Sequence, residues 1–188
     1  AAVSAAIFSP IVIAHIHGGE STYGAFDELI RHAITKMSHI HFTATETYRN
    51  RVIQLGEHPD RVFNSGSPAM DNISNLKLLS KKVFEKAINF SLKEKIALVT
   101  FHPTTLDYGS AEFQISELLM ALDSFKELKI IFTYPNADSE GRIIKENILK
   151  FVKNNKTKSI VFSSLGQLKY LSALQFVDLV IGNSSSGI

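Results

Sequence analysis

Residues 10–42 read PIVIAHIHGGESTYGAFDELIRHAITKMSHIHF, and the stretch changes its period twice. Residues 10–16 are a short apolar run rich in β-branched side chains, which predicts a buried strand. Phe26, Leu29, Ile30, Ala33, Ile34 and Met37 then recur at helical spacing and give one apolar stripe. Residues 40–43 read as a strand again. Strand, helix and strand in this order predict a right-handed crossover and a parallel sheet. The first connection carries His15, His17, Gly18, Gly19 and Glu20. Its glycine pair alone fits a plain tight turn; the histidines and the carboxylate ask for more.

The same rhythm runs outward from this unit. Thr43 with Glu46 three residues later has the spacing of a capping box, opening a helix that runs through residue 55. A third strand covers residues 61–64 and closes at Gly66-Ser67-Pro68. The polar segment 71–82 breaks the pattern, and a domain boundary is placed there, with domains at 1–75 and 76–188. Strands at 96–101, 129–134, 159–162 and 177–181 follow, separated by helices near 111–125, 139–154 and 165–174. The predicted fold class is α/β, with two Rossmann-like parallel-sheet domains. Ala1 is not a start methionine, residues 1–8 read as helix without a cap, and the turn after residue 181 leads to no helix. The chain is therefore expected to be a fragment, with both domains incomplete.

Composition excludes several classes. Twenty basic against eighteen acidic residues give a net charge of +2 with no basic run, so neither nucleic acid nor a membrane surface is an expected partner. Cysteine is absent, which removes disulfides, thiolate nucleophiles and zinc ribbons and suits a cytoplasmic location. No apolar run reaches the roughly 18 residues a membrane span needs.

Ligands of open parallel sheets collect beyond the carboxyl ends of the strands. The unusual residues fall there: 17–27, 102–107, Asn136 with Asp138, Ser163 with Ser164, and 182–187. Each has a plainer reading. Asp27 near a helix start is favoured by the helix dipole whatever its function, His102-Pro103 can simply end a strand, and Asn136 with Asp138 suits an ordinary turn. His39 and His41 alternate on a short strand with no acidic neighbour in sequence and read as structural. GNSSSG at residues 182–187 offers hydroxyls and amides where a helix would begin, which suits a phosphate or diphosphate. His15, His17 and Glu20 also resemble a two-histidine, one-carboxylate metal site, since i and i+2 on a strand point the same way.

Taken in order, HIHGGE, GAFDELIRHAITKMSHIHF, TET, DRVFNSGSP, FHPTTLD, PNAD and GNSSSG resemble the hydrolysing UDP-N-acetylglucosamine 2-epimerases of sialic and legionaminic acid biosynthesis. The resemblance covers essentially the whole chain. It implies a GT-B-like pair of domains, no cofactor, no metal and a homo-oligomer. It implies conversion of UDP-N-acetylglucosamine, or a diacetamido 6-deoxy analogue, to the free 2-epimer of N-acetylmannosamine type plus UDP. Elimination between C1 and C2 would give 2-acetamidoglucal, and water would then add. Such a reaction needs a carboxylate base and an acid. Glu20, Asp27 and His102 are the catalytic candidates on this resemblance. His17, Gly19, Arg31, Asn136, Asp138, Ser184, Ser185 and Ser186 are the substrate-binding candidates.

One departure separates two branches. The non-hydrolysing epimerases carry a glutamate where this chain has His17, followed by a segment like EAGLRT; here Gly18-Gly19-Glu20 follows instead. That favours the hydrolysing branch and leaves open whether His17 or Glu20 takes the displaced glutamate's role. The alternatives are a non-hydrolysing epimerase, a non-catalytic sugar-nucleotide-binding module, and a metal enzyme using His15, His17 and Glu20.

Overall fold

The computed structural model describes residues 2–22, 27–103, 109–136 and 140–184. The chain divides into two compact units, Ala1–Asn75 and Leu76–Ile188.

Unit 1 runs α1 (Ala2–Ala6), β1 (Ala14–Ile16), α2 (Asp27–Lys36), β2 (Ile40–Thr43), α3 (Glu46–Gln54), a 3-10 turn (Pro59–Arg61), β3 (Val62–Asn64) and α4 (Pro68–Asn75). Its strands are parallel in the order β1-β2-β3, with His15 registered on His41 and Phe42 on Phe63. β1 is shorter than the apolar run predicts and is not buried: Ile11, Val12 and Ile16 are exposed. The interior side chains of this sheet are largely polar, with Thr35, Ser38, His41 and Thr43 all buried beside Val52 and Val62.

The helix after β2 is capped two residues later than the spacing predicts. Thr43 ends β2 fully buried, and its hydroxyl donates to the Thr45 and Phe63 carbonyls, so it is not available as a cap. Thr45 is extended and accepts from the Tyr48 N–H instead.

Unit 2 runs α5 (Lys81–Ile88), β4 (Lys95–Thr100), α6 (Ala111–Ser124), β5 (Leu128–Thr133), α7 (Gly141–Asn154), β6 (Ser159–Phe162), α8 (Gly166–Leu174) and β7 (Leu179–Gly182). The strands are parallel in the order β6-β5-β4-β7. The apolar runs of β4 and β5 are continuous because both their faces are covered. Ala97, Val99, Ile130 and Phe132 pack on Ala111, Ile115, Leu119 and Leu122 of α6 and Ile144 and Ile148 of α7. Ile96, Leu98 and Ile131 face the other way, onto Phe84 and Ile88 of α5 and Ala173 of α8. The segment 71–82, read as irregular, contains the end of α4 and the start of α5. Both helices are only eight residues long, too short to show a clear period. Among the described residues no helix is long and apolar enough to cross a membrane.

Candidate functional site

In unit 1 the site begins where β1 ends. His17 has φ 64°, a left-handed conformation uncommon outside glycine, and it turns the chain off the strand. His15 and His17 are therefore not i, i+2 neighbours on one strand face, and their side chains go to different partners. His15 Nδ1 lies 3.1 Å from Thr35 Oγ1, and His17 Nδ1 lies 2.6 Å from Glu20 Oε1. The metal reading is thus corrected: among the described residues no group of three His, Asp or Glu side chains could hold an ion. The His17 and Glu20 side chains are 39% and 30% exposed, so the pair stays open to a ligand.

The glycines let this turn lie flat on unit 1. Gly19 is buried with φ 80°, and a Cβ there would collide with the Tyr48 carbonyl oxygen on α3. Arg51 from α3 donates to the Gly19 carbonyl at 2.5 Å. Arg31 from α2 donates to the Glu20 carbonyl at 3.2 Å and to Thr22 Oγ1 at 3.1 Å, so this guanidinium grips the loop that bears Glu20. Glu28 accepts from the Thr22 N–H, from Ser21 Oγ at 2.8 Å and from His32 at 3.3 Å. The Thr22 N–H and the Ser21 hydroxyl hold its carboxyl below the usual glutamate range. Asp27 opens α2 and is exposed; residues 23–26, which join it to the loop, lie outside the described residues.

In unit 2 the site sits where the strand order reverses, between the carboxyl ends of β4 and β7. The His102 N–H donates to Asn183 Oδ1 and Asn183 Nδ2 donates back to the His102 carbonyl, both at 2.8 Å. This reciprocal clamp ties the loops after the two strands together. The Asn136 N–H donates to His102 Nδ1 at 3.2 Å, so that nitrogen accepts and the ring proton belongs on Nε2. Gly182, with φ 143°, passes so close to the Thr100 carbonyl that no side chain fits. A cavity of about 290 Å³ opens here, lined by Thr100, Tyr170, Gly182, Asn183 and Ser184. Asp138, Ser185 and Ser186 lie outside the described residues. The structure thus brings His102, Asn136 and Ser184 to one set of strand ends, and His17, Gly19, Glu20 and Arg31 to one loop.

The whole chain, residues 1–188, matches the family described as UDP-N-acetylglucosamine 2-epimerase. The chain belongs to this family. The GDP/UDP-N,N'-diacetylbacillosamine 2-epimerase (hydrolyzing) of Campylobacter jejuni is 44% identical over 98% of the chain and 48% of its own length. Polysialic acid biosynthesis protein P7 of Escherichia coli is 43% identical over 98% of the chain and 46% of its own length. The chain therefore spans about half the length of the epimerase-family relatives it matches. The crystal structure of UDP-GlcNAc 2-epimerase from Neisseria meningitidis bound to UDP-GlcNAc superposes with a TM-score of 0.78 at 18% identity, over 98% of this chain and 51% of that one. The predicted GT-B-like fold class is the fold of that epimerase.

Sequence reasoning missed several residues of the loop's support. Arg51, Thr35 and Glu28 come from α3 and α2, and nothing local to HIHGGE announces them. His41, read as lacking an acidic neighbour, has one: Glu57 Oε2 lies 3.2 Å from its Nε2. Asn183 stood inside the GNSSSG string but its role as a clamp needed the opposite strand.

Proposed function

We propose that the chain carries the chemical loop and a nucleotide-side loop of a hydrolysing 2-epimerase acting on a nucleoside-diphosphate-linked 2-acetamido sugar. UDP-N-acetylglucosamine or a diacetamido 6-deoxy analogue is the substrate class. The product is the free 2-epimer plus the nucleoside diphosphate. The observation that carries this reading is the Glu20 carboxylate, held 2.6 Å from His17 Nδ1 on a glycine turn whose carbonyls are gripped by two guanidiniums. The hydrolysing relative at 44% identity supports it.

A C2 proton is weakly acidic, so its removal needs a carboxylate fixed in place rather than a freely moving one. Glu20 takes that proton as the C1–O bond breaks, the electron pair leaves with the nucleoside diphosphate, and 2-acetamidoglucal remains. Water then supplies a hydroxyl to C1 and a proton to C2 on the opposite face. His17 donates to the Glu20 carboxylate and keeps it oriented, and Asp27 is the second carboxylate of the pair. His102, with its proton on Nε2, donates to the diphosphate or the departing oxygen. Ser184, Ser185 and Ser186 add hydroxyls for the same group, and Asn136 and Asp138 complete the strand-end contacts.

The test is turnover of the full-length protein in D2O. Deuterium at C2 of the free sugar, with Glu20→Gln slower by about 100-fold or more yet still binding UDP, is the expected result. Product without C2 deuterium, or near-normal turnover in Glu20→Gln, overturns the reading.

A further inference from the structure

Beside the HIHGGE turn a polar cluster that the proposed reaction does not use runs from the buried His41 out to the surface at Lys36. His41 on β2 is fully buried, and its Nε2 lies 3.2 Å from Glu57 Oε2. The other Glu57 oxygen accepts from Lys36 Nζ at 2.5 Å. Burial works to raise the Glu57 pKa, but Lys36 and His41 together hold it below the usual glutamate range. An ionised carboxylate only accepts, so His41 Nε2 must carry the proton. His41 Nδ1 is buried and has no partner among the described residues. A proton there would be a buried donor without an acceptor, whereas the Nε2–H tautomer leaves only a lone pair unmet.

The cluster reaches the turn in two steps. His41 is the registered neighbour of His15 across β1 and β2. The Thr35 hydroxyl donates to the Arg31 carbonyl at 3.1 Å, so it accepts from His15, whose proton sits on Nδ1. Gly18 rests directly on this pair: a Cβ there would stand 3.1 Å from His15 Nδ1 and 3.5 Å from Thr35 Oγ1. The next residues are Gly19 and Glu20.

We propose that Glu57 is a positioning residue for Glu20: by fixing the His41 tautomer beside His15 it sets the floor on which the Gly18–Gly19 turn lies. This rests on the reading of Glu20 as the proton acceptor. His41 is fully buried and Glu57 nearly so, while Lys36 reaches out to solvent; a buried histidine held by a carboxylate commonly supplies specificity rather than stability. Here the specificity is that of one loop height. Displacing a base by a fraction of an ångström lowers rate without weakening substrate binding.

Lys36 makes the test sharp. In Glu57→Gln the amide NH2 cannot face the neighbouring Lys36 ammonium, so the amide oxygen, the one acceptor the side chain offers, turns to Lys36 and the NH2 turns to His41. His41 then accepts at Nε2 and its proton moves to Nδ1. In the double variant Lys36→Met/Glu57→Gln nothing orders the amide, its oxygen can face His41, and the Nε2–H tautomer returns. The full-length protein is labelled with 15N-histidine, and tautomers are read by NMR alongside kcat and KM. The expected result is His41 as Nε2–H in the wild type and as Nδ1–H in Glu57→Gln, with kcat about tenfold lower and KM unchanged. The double variant recovers both the tautomer and the rate. A merely structural ion pair predicts the reverse order, with the double variant worse than the single one, and that result overturns the proposal. So does His41 found as Nδ1–H in the wild type, a measurement that needs no variant. A Glu20→Gln enzyme with near-normal rate counts against the reaction assignment alone, because the tautomer and the Gly18 and Gly19 amide shifts report on the floor independently of turnover.

Discussion

The two sheets share parallel strands and crossover helices, yet their interiors are opposites. Unit 2 buries Ile96, Leu98, Ile130, Ile131 and Phe132 between helices on both faces. Unit 1 buries Thr35, Ser38, His41 and Thr43 with only Val52 and Val62 as buried apolar side chains among the described residues. The loops they carry differ in the same sense. The HIHGGE turn is held by charged groups, Arg31 at the Glu20 carbonyl and Arg51 at the Gly19 carbonyl, and Glu28 holds Ser21 and Thr22 just after it. The strand-end site of unit 2 is held by an exchange of neutral amide bonds, Asn183 with the His102 backbone. An apolar core fixes a loop by its ends and leaves the loop to arrange itself. A polar interior can hold individual carbonyls in place, which suits a group that must move a proton.

The largest effect expected from this contrast is in unit 2. Phe132→Ala removes a fully buried ring between α6 and α7 and should cost about 3–5 kcal/mol. Hydrogen exchange should show the loss in β4 and β5 and leave β2 protected; equal loss in both sheets would break the comparison. Gly19→Ala comes next, at about 3 kcal/mol, since it combines a left-handed φ with a collision against the Tyr48 carbonyl. Here the loss should appear in unit 1, with the Arg51 bond to residue 19 broken, as a crystal structure or amide shifts would reveal.

Acid should separate the units further. Burial holds His15 below its usual value of 6.5. The unfolded chain then binds a proton that the folded chain refuses, so stability falls as pH drops below 6.5 and the loss is complete below the folded value. The carboxylates with lowered values, Glu28 and Glu57 in unit 1 and Glu94 and Asp178 in unit 2, begin to lose their stabilisation only as pH falls below the usual 4.5 and 3.8. Denaturant melts between pH 7 and 5 should therefore weaken unit 1, and His15→Gln should flatten that limb. A smaller effect, about 1 kcal/mol, is expected for Thr45→Ala at the start of α3; Thr43→Ala should not mimic it through the cap.

The strands at Ile40–Thr43 and Ser159–Phe162 and the helix at Asp27–Lys36 were legible from short strand-forming runs and from helical spacing of apolar residues, although Leu29 and Ile30 of that stripe are exposed. His17 and Glu20 were each legible as site candidates in one turn, but their pairing was not, because it depends on the left-handed backbone at His17. Glu57 and Arg51 were not: they meet His41 and Gly19 across 16 and 32 residues, through the packing of α3 on the sheet, and no local pattern encodes that meeting. The capping residue was misplaced for a related reason. Thr43 and Thr45 look alike along the chain, and only the burial of the first decides between them.

Thr100 and Thr133 end β4 and β5 with their hydroxyl oxygens 2.5 Å apart, both buried. Either hydroxyl can be the donor. Thr100→Val or Thr133→Val alone leaves a buried hydroxyl facing a methyl group, whereas both together restore a matched apolar pair of nearly the same shape. The two substitutions should therefore show sign epistasis: each harmful first, each beneficial second. A lineage can pass from a polar to an apolar pairing at these strand ends only by crossing a fitness valley, so related chains should be found at either end of the path and seldom in the middle.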